Sequence, residues 1–395
     1  MLAASSDLPQ RCLTLRVTVP LQPAPTPPSA AGAPAPPVKF PLSWLLDHGA
    51  PPIQYRAIAE VARLPGAVSD PISALPYAHL QAVRLALSQR ADGEWGPTML
   101  GLPRNVAFDG IGTINAVRRL VEYGWDRESP PLAKVRRLLF RLLAEDEDPA
   151  FLFEFAGNPE EEEMARRGRA ILREAAAAAL AQAGYEGDPR LRGAARRIIE
   201  RINAYLKSLP VNGMRPVWVR VGNRQVLPPE AAPPSVHAIM MLAFMPQFRS
   251  EYHEHVERLY QFLTQPLPRQ ESAQLVGTTP VMQPHFVLGD LLPHRNAVDA
   301  DVPFALMWME LLARLGFLRR NDNWSRLFER FLDDRDRNGV WHPHKGLASP
   351  KTEHPVAWAS YPLVEETAEG EDRWADVTFR LGLIARLSGR PIELI

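Results

Sequence analysis

The chain has 395 residues, and its 45 Lys and Arg are balanced by 45 Asp and Glu, so the formal net charge is zero. Hydrophobic residues make up 46% and charged residues 23%, ordinary values for a globular protein with a large core. The charge balance argues against a dedicated nucleic-acid binder, and a lone cysteine, Cys12, rules out a disulfide framework or a Cys-rich metal site. Apolar runs such as Ala238 to Met245 fall well short of the roughly 20 residues of a membrane span.

Forty prolines are about twice the average share, and many sit near the start. Residues 20–37 read PLQPAPTPPSAAGAPAPP, a composition that is extended or disordered rather than packed. Residues 1–19 lack the basic start, apolar stretch and small-residue cleavage site of a secretory leader, so a cytoplasmic protein is expected. The expected division is a tail over 1–39 and one folded domain over 40–395.

From Pro41 onward the apolar spacing predicts helices at 53–63, 75–89, 112–123, 132–144, 158–183, 188–209, 234–246, 250–265, 302–317, 322–333 and 373–388. In 158–183, Asn158 and Pro159 open the segment and Glu160 to Glu163 occupy the first turn, where the helix dipole favours anions. Alanines 175–179 then permit close helix packing. In 188–209, Asp188 can cap, Pro189 fits the first helical position, and Leu191, Ala195, Ile198, Ile202 and Tyr205 form one apolar stripe. A short hairpin is expected at 215–227, around Gly222-Asn223. The fold class is therefore all-α, with about twelve helices in a repeat architecture, either an open solenoid or a closed double ring.

Two turns are alike. One runs from Gln89 through Asp92-Gly93-Glu94-Trp95, and the other is Asp336-Arg337-Asn338-Gly339-Val340-Trp341. Each joins a helix end, a Gly able to take positive φ, and a Trp folded back as a staple. The first resembles the Gln-and-Trp motif of squalene–hopene and terpene cyclases, shared more loosely with protein prenyltransferases. The second is degenerate, because Arg335 or Asp336 stands where Gln is expected. Two further stretches resemble the same family. Val298-Asp299-Ala300-Asp301-Val302 is similar to the Asp-x-Asp-Asp motif of class II cyclases, with Val302 in place of the last Asp. Asp376-Val377-Thr378-Phe379-Arg380 is similar to their Asp-Val-Thr segment.

The resemblance implies an α/α toroid, a double ring of helices around a central cavity. It also implies Asp301 as proton donor, Asp299 as its partner, and Asp376 and Arg380 as support for the carboxylates. Such an acid must be strong and sheltered from water, because alkenes are poor bases. Phe304, Trp308 and Trp341 would line a site for a hydrophobic, isoprenoid-like molecule and stabilise a cation with their π faces. No cofactor or metal is implied. Contact with a membrane surface is compatible with a lipid substrate, although no basic amphipathic helix calls for it.

These residues admit three functional readings. The first is a class II terpene cyclase-like enzyme acting on a polyprenyl or triterpene substrate. The second is a non-catalytic toroid that binds or scaffolds, favoured by Val302. The third is a carbohydrate-active (α/α)6 enzyme, which needs two carboxylates facing across an open cleft. Asp299 and Asp301 can equally serve as caps of the helix that begins near Val302. Other constellations are weaker. His285, His294, His342, His344 and His354 lack helical metal-ligand spacing, and His253 and His255 point to different faces of one helix.

Overall fold

The computed structural model describes residues 36–64, 70–144, 162–210, 214–292, 294, 297, 301–343, 350–352, 354–361, 363 and 368–395. The Pro/Ala-rich segment, the 158–161 opening of the long helix, Asp299 and His344 lie outside them.

The described chain is mostly helical with a few short strands. Strand β1 (Val38–Phe40) is followed by α1 (Leu42–His48), α2 (Pro51–Arg56) with a π-helical continuation Ala57–Ala62, α3 (Asp70–Ser73), α4 (Leu75–Ala78) and α5 (Leu80–Leu87). Then come α6 (Thr113–Glu122), α7 (Pro130–Arg141), α8 (Glu162–Gln182), α9 (Pro189–Ser208) and the hairpin β2 (Val219–Val221) and β3 (Arg224–Val226). They are followed by α10 (Val236–Ala243), α11 (Pro246–Glu251), α12 (His253–Leu263) and a second hairpin, β4 (Ala273–Val276) and β5 (Thr279–Met282). The chain ends with α13 (Val302–Arg314), α14 (Asp322–Asp333), α15 (Pro355–Ser360), α16 (Ala375–Leu387) and β6 (Ile392–Leu394).

The local rules explain most boundaries. Asp188 caps α9 by accepting from Arg190 N at 2.9 Å, with Pro189 next in line. Gly222 takes φ +59° at the expected hairpin, and Val219 pairs with Val226. The predicted helix 75–89 is instead two helices, because His79 adopts an extended conformation between them. Helix 250–265 is likewise broken at Tyr252. Elements not foreseen are α1, α3, α15, the strands β1 and β6, and the β4–β5 hairpin.

Packing follows composition. Ala175 to Ala179 of α8 are all fully buried, and their small side chains let α10 lie close against this helix. All eight residues of α10 are buried, as befits a helix that is apolar almost all round. Helix α8 also meets α6, α10 meets α13, α13 meets α16, and α16 returns to α2 and its π-helical continuation. Helices α7, α9 and α15 pack against these from other sides, α7 on α6 and α8, α9 on α8 and α10, and α15 on α6 and α13.

The two similar turns are built alike. Gly93 and Gly339 take φ +94° and +79°, and Asp92 and Asp336 each accept a backbone N–H within the turn. The backbone N–H of Trp95 donates to Thr113 Oγ1 at 3.2 Å, and that of Trp341 donates to Thr378 Oγ1 at 3.1 Å. Each turn is thereby tied to α6 or α16. Gln89 donates to Gly93 O and to Pro131 O, joining the first turn to α7. Arg335, near the corresponding place, donates to Lys39 O of β1 at 2.9 Å.

The two ends of the described chain meet. β1 runs parallel to β6, and Ile395 N donates to Phe40 O at 3.0 Å. The Phe40 ring rests on Gly382 of α16, so tightly that a Cβ at Gly382 would overlap two ring carbons. Phe40 is itself buried, 1% exposed. Gly382→Ala is therefore expected to cost about 1–3 kcal/mol, more than offsetting the gain in helix propensity. Urea unfolding measures it. An unchanged or raised midpoint would show that the Phe40–Gly382 contact is not tight.

Candidate functional site

Asp301 is the N-cap of α13. Its Oδ1 accepts from Phe304 N at 3.0 Å and its Oδ2 accepts from the Thr352 hydroxyl at 2.6 Å. The residue is exposed. The side-chain cap and Pro303 inside the first turn together explain why the helix starts here.

Asp376 and Arg380 are 0% and 1% exposed, one turn apart on α16. Arg380 uses each of its three nitrogens. Nε donates to Asp376 Oδ1 at 3.2 Å, NH1 to Glu310 Oε2 at 2.8 Å, and NH2 to Glu122 Oε2 at 2.9 Å and to the Ser360 carbonyl. The other oxygen of Asp376 accepts from Leu363 N. Glu122 Oε2 also accepts from Arg56 NH1 at 2.5 Å, and its Oε1 accepts from Gln182 Nε2 at 2.6 Å. Arg56 continues to Glu60, and Glu310 to Arg314. A buried ionic network thus joins α2, α6, α8, α13 and α16.

The same network holds the 356–363 segment. Arg118 donates to Val356 O at 3.2 Å and to the Ser360 hydroxyl at 3.0 Å, and Arg119 donates to Tyr361 O at 3.2 Å. With Arg380 on Ser360 O and Asp376 under Leu363 N, this segment is fastened by four buried ionisable groups.

Burial by itself would raise the Glu122 carboxyl, but Arg56 and Arg380 outweigh it and hold it down at about 2. In Asp376 the balance goes the other way: burial raises the carboxyl above its ordinary value although Arg380 opposes it. Burial also lowers Arg118, to about 10.

A less charged layer adjoins the network. Phe304 stacks in parallel with Trp308, centroids 6.4 Å apart, and meets the His354 ring at 4.5 Å. Trp308 is 1% exposed, flanked in the chain by the buried Met307 and Met309. His237 on α10 is 5% exposed, and its imidazole is pushed down to about 3 by burial and then by the like charges of Arg118, His285 and His354. His237 Nδ1, His354 Nδ1 and Trp308 Nε1 are buried and make no hydrogen bond among the described residues.

The sequence-predicted residues therefore divide. Asp376 and Arg380 meet each other, while Phe304 and Trp308 meet beside Asp301. No hydrogen bond joins Asp301 to Asp376 among the described residues, and Asp299 lies outside them. Trp341 goes elsewhere: it is 1% exposed and packs edge-on against Trp374 at 6.0 Å. Among the loop histidines, His294 is spent on Asp290 at 2.5 Å, and among the described residues no three His, Cys, Asp or Glu gather closely enough to hold a metal ion. Sequence reasoning passed over Glu122, Glu310, Arg118 and His237. The signal was there for two of them, since a lone Glu in MWMELLA and a lone His in VHAIMMLA mark polar groups inside buried helices. No family model, no curated protein and no solved structure matches this chain.

Arg380→Met removes the buried donor from Glu310 Oε2, Asp376 Oδ1 and the Ser360 carbonyl. It is expected to cost about 3–5 kcal/mol, the usual cost of removing one partner from a buried ion pair. A measured loss in urea unfolding below about 1 kcal/mol would show the network to be dispensable.

The pH dependence has a definite sign. Neutral in the fold, His237 takes up a proton near its ordinary 6.5 once unfolded. Its contribution is complete above pH 6.5 and falls as pH drops toward about 3. Glu122 acts likewise lower down, between its ordinary 4.5 and about 2, while the raised Asp376 works in the opposite sense. His237→Gln is expected to flatten the decline in unfolding free energy below pH ~6 by about 1.4 kcal/mol per pH unit, the value of one proton. Parallel wild-type and variant curves between neutral and mildly acidic pH would refute the assignment.

Proposed function

We propose that the chain is an α/α toroid of the terpene cyclase kind that works as a binding module rather than as a proton-initiated cyclase. The toroid reading is supported by the order of packing. Helix α2 touches α16, α16 touches α13, and contact continues through α10, α8, α6, α5 and α4 back to α2. Helices α6, α8, α10 and α13 of this circuit are backed by α7, α9 and α15, as in a double ring.

One observation carries the functional reading. Every nitrogen of Arg380 and both oxygens of Asp376 are spent on protein partners, two of which belong to the 356–363 segment. In a cyclase these groups would sustain an acid facing a substrate. Here they fasten a segment of the chain itself. The residue at the acid position, Asp301, is an exposed helix cap without a second Asp beside it, because Val302 occupies that place. An acid able to protonate an alkene needs shelter from water.

The cyclase reading keeps one supporting observation, the gathering of Phe304, Trp308 and His354 next to Asp301. A direct assay separates the two readings. The full chain is incubated with squalene and with geranylgeranyl diphosphate in detergent, and products are analysed by gas chromatography and mass spectrometry. Wild type and Asp301→Asn are expected to match a boiled control. Cyclised product that disappears in Asp301→Asn would overturn the binding reading and restore the enzyme.

A further inference from the structure

An open groove of about 310 Å3 lies between α7 and the start of α9. Arg136, Arg137 and Phe140 of α7 line it, with Tyr185 and Asp188 from the turn after α8 and Arg190 of α9. None of Asp301, Asp376 and Arg380 lines it, so the groove keeps its chemistry whatever the cyclisation assay returns.

Two aromatic rings place the arginines. Phe140 and Tyr185 meet edge-on, with centroids 5.6 Å apart. The guanidinium carbon of Arg190 sits 3.8 Å from the Phe140 centroid, so this side chain reaches from α9 to the α7 wall. The guanidinium carbon of Arg136 lies 5.9 Å from the Tyr185 centroid and reaches the other way. Two cations thus stand at one ring pair, and both are open to solvent, their side chains 61% and 40% exposed. Contact with a ring face holds a guanidinium in place without cancelling its charge.

The local charge is not balanced. Helix α7 carries Lys134, Arg136, Arg137 and Arg141 and no acid, in a chain whose net charge is zero. Arg190 is paired with Asp188, which its Nε and NH2 grip at 3.1 and 2.8 Å. Arg136 meets Glu128 at 3.2 Å, and Arg127, 5.2 Å from the Tyr185 centroid, shares that carboxylate at 3.6 Å. Glu186 is turned toward α11, where it accepts from Phe248 N. Arg137 is exposed and makes no hydrogen bond or ion pair among the described residues. Arg127, Arg136, Arg137 and Arg190 are therefore set against Glu128 and Asp188 alone, and two positive charges are left over.

A phosphate monoester carries about −1.5 to −2 near neutral pH, which matches that excess, whereas a carboxylate brings a single charge. A guanidinium with unspent N–H groups suits phosphate in particular, because its planar fork donates two parallel hydrogen bonds. The volume is at the small end of ordinary ligand sites, and the rings offer apolar surface for a short organic group.

We propose that this groove binds a small soluble phosphate monoester, with Arg137 engaging the phosphate, Arg136 and Arg190 held at the rings beside it, and the organic group against Phe140 and Tyr185.

The full chain is titrated calorimetrically with phenyl phosphate, inorganic phosphate and benzoate, and cosedimented with phosphatidylglycerol vesicles. Two variants accompany it. Arg137→Gln removes the unspent cation, and Arg224→Gln removes the same charge from the exposed edge of the β2–β3 hairpin. Saturable binding of phenyl phosphate is expected, tighter than that of inorganic phosphate or benzoate. Arg137→Gln is expected to weaken it about tenfold or more, the effect of one lost charge-assisted hydrogen bond, and Arg224→Gln to leave it unchanged. Equal affinity for inorganic phosphate would overturn the ester in favour of the free ion, and equal affinity for benzoate would overturn phosphate in favour of any anion. Equal weakening in the two variants, or none in Arg137→Gln, would overturn the site. Vesicle binding without binding of phenyl phosphate would overturn it in favour of a membrane-facing surface, and no binding at all would overturn it outright. Should Arg137→Gln fail to fold by circular dichroism, the wild-type ranking of the probes still decides.

Discussion

The guanidinium of Arg380 is the fixed point around which the described chain is arranged. It meets Glu122 of α6, Glu310 of α13 and Asp376 of its own helix, and the first of these pairs joins residues 258 positions apart. Burying such groups is unfavourable unless every charge is matched and every donor and acceptor used. That condition is demanding, and it is also a source of specificity. A shift of α6 or α13 by one residue would turn Glu122 or Glu310 away and strand a cation in the core. Apolar packing alone tolerates such shifts far better. The network thus sets the register of helices whose contact faces are otherwise mainly apolar.

The same requirement explains why the 356–363 segment enters the core. The end of α15 and the residues after it carry backbone groups that need partners when buried. Arg118, Arg119, Asp376 and Arg380 supply them, each from an inward face of α6 or α16. The segment in turn provides acceptors that lone arginines would otherwise lack. The buried cations and the segment satisfy each other, so they are best understood as one unit. Thr378, between Asp376 and Arg380, accepts the Trp341 N–H and joins the neighbouring turn to the same helix.

How far this was legible in the sequence depended on the range of the interaction. The Asp188 cap, the Gly222-Asn223 turn and the two Gly–Trp turns are written in neighbouring residues and were found where expected, as were most helices, with 75–89 and 250–265 each divided in two. The parallel pairing of Val38–Phe40 with Ile392–Leu394 was not legible, since nothing in either triplet names its partner. The candidate site shows the same limit more sharply. Asp301 before a helix reads identically as a catalytic acid and as a cap, because both need a carboxylate at that position. The distinction lies in Thr352 and in solvent exposure, neither of which is a local property. Arg380 was singled out by a short motif, but its bonds to Glu122 and Glu310 required two helices that the motif does not contain.

The division between charged and neutral layers follows from spacing along α6. Arg118 and Glu122 are four residues apart, hence about one turn, or 5.4 Å, along the helix. Glu122 faces the ionic network, while Arg118 turns toward the 356–360 segment and lies near His237. A cation there makes protonation of His237 costly, and burial adds to that cost, so the imidazole stays neutral. His354 is held down by burial too, although Asp301 opposes this. The histidines near Phe304 and Trp308 are thus held below their ordinary range even though seven ionisable side chains of the network, Arg56, Glu60, Glu122, Glu310, Arg314, Asp376 and Arg380, occupy the same set of helices. A helix core can hold a dense ionic lattice and an uncharged aromatic layer side by side when one turn of helix separates the residues that belong to each.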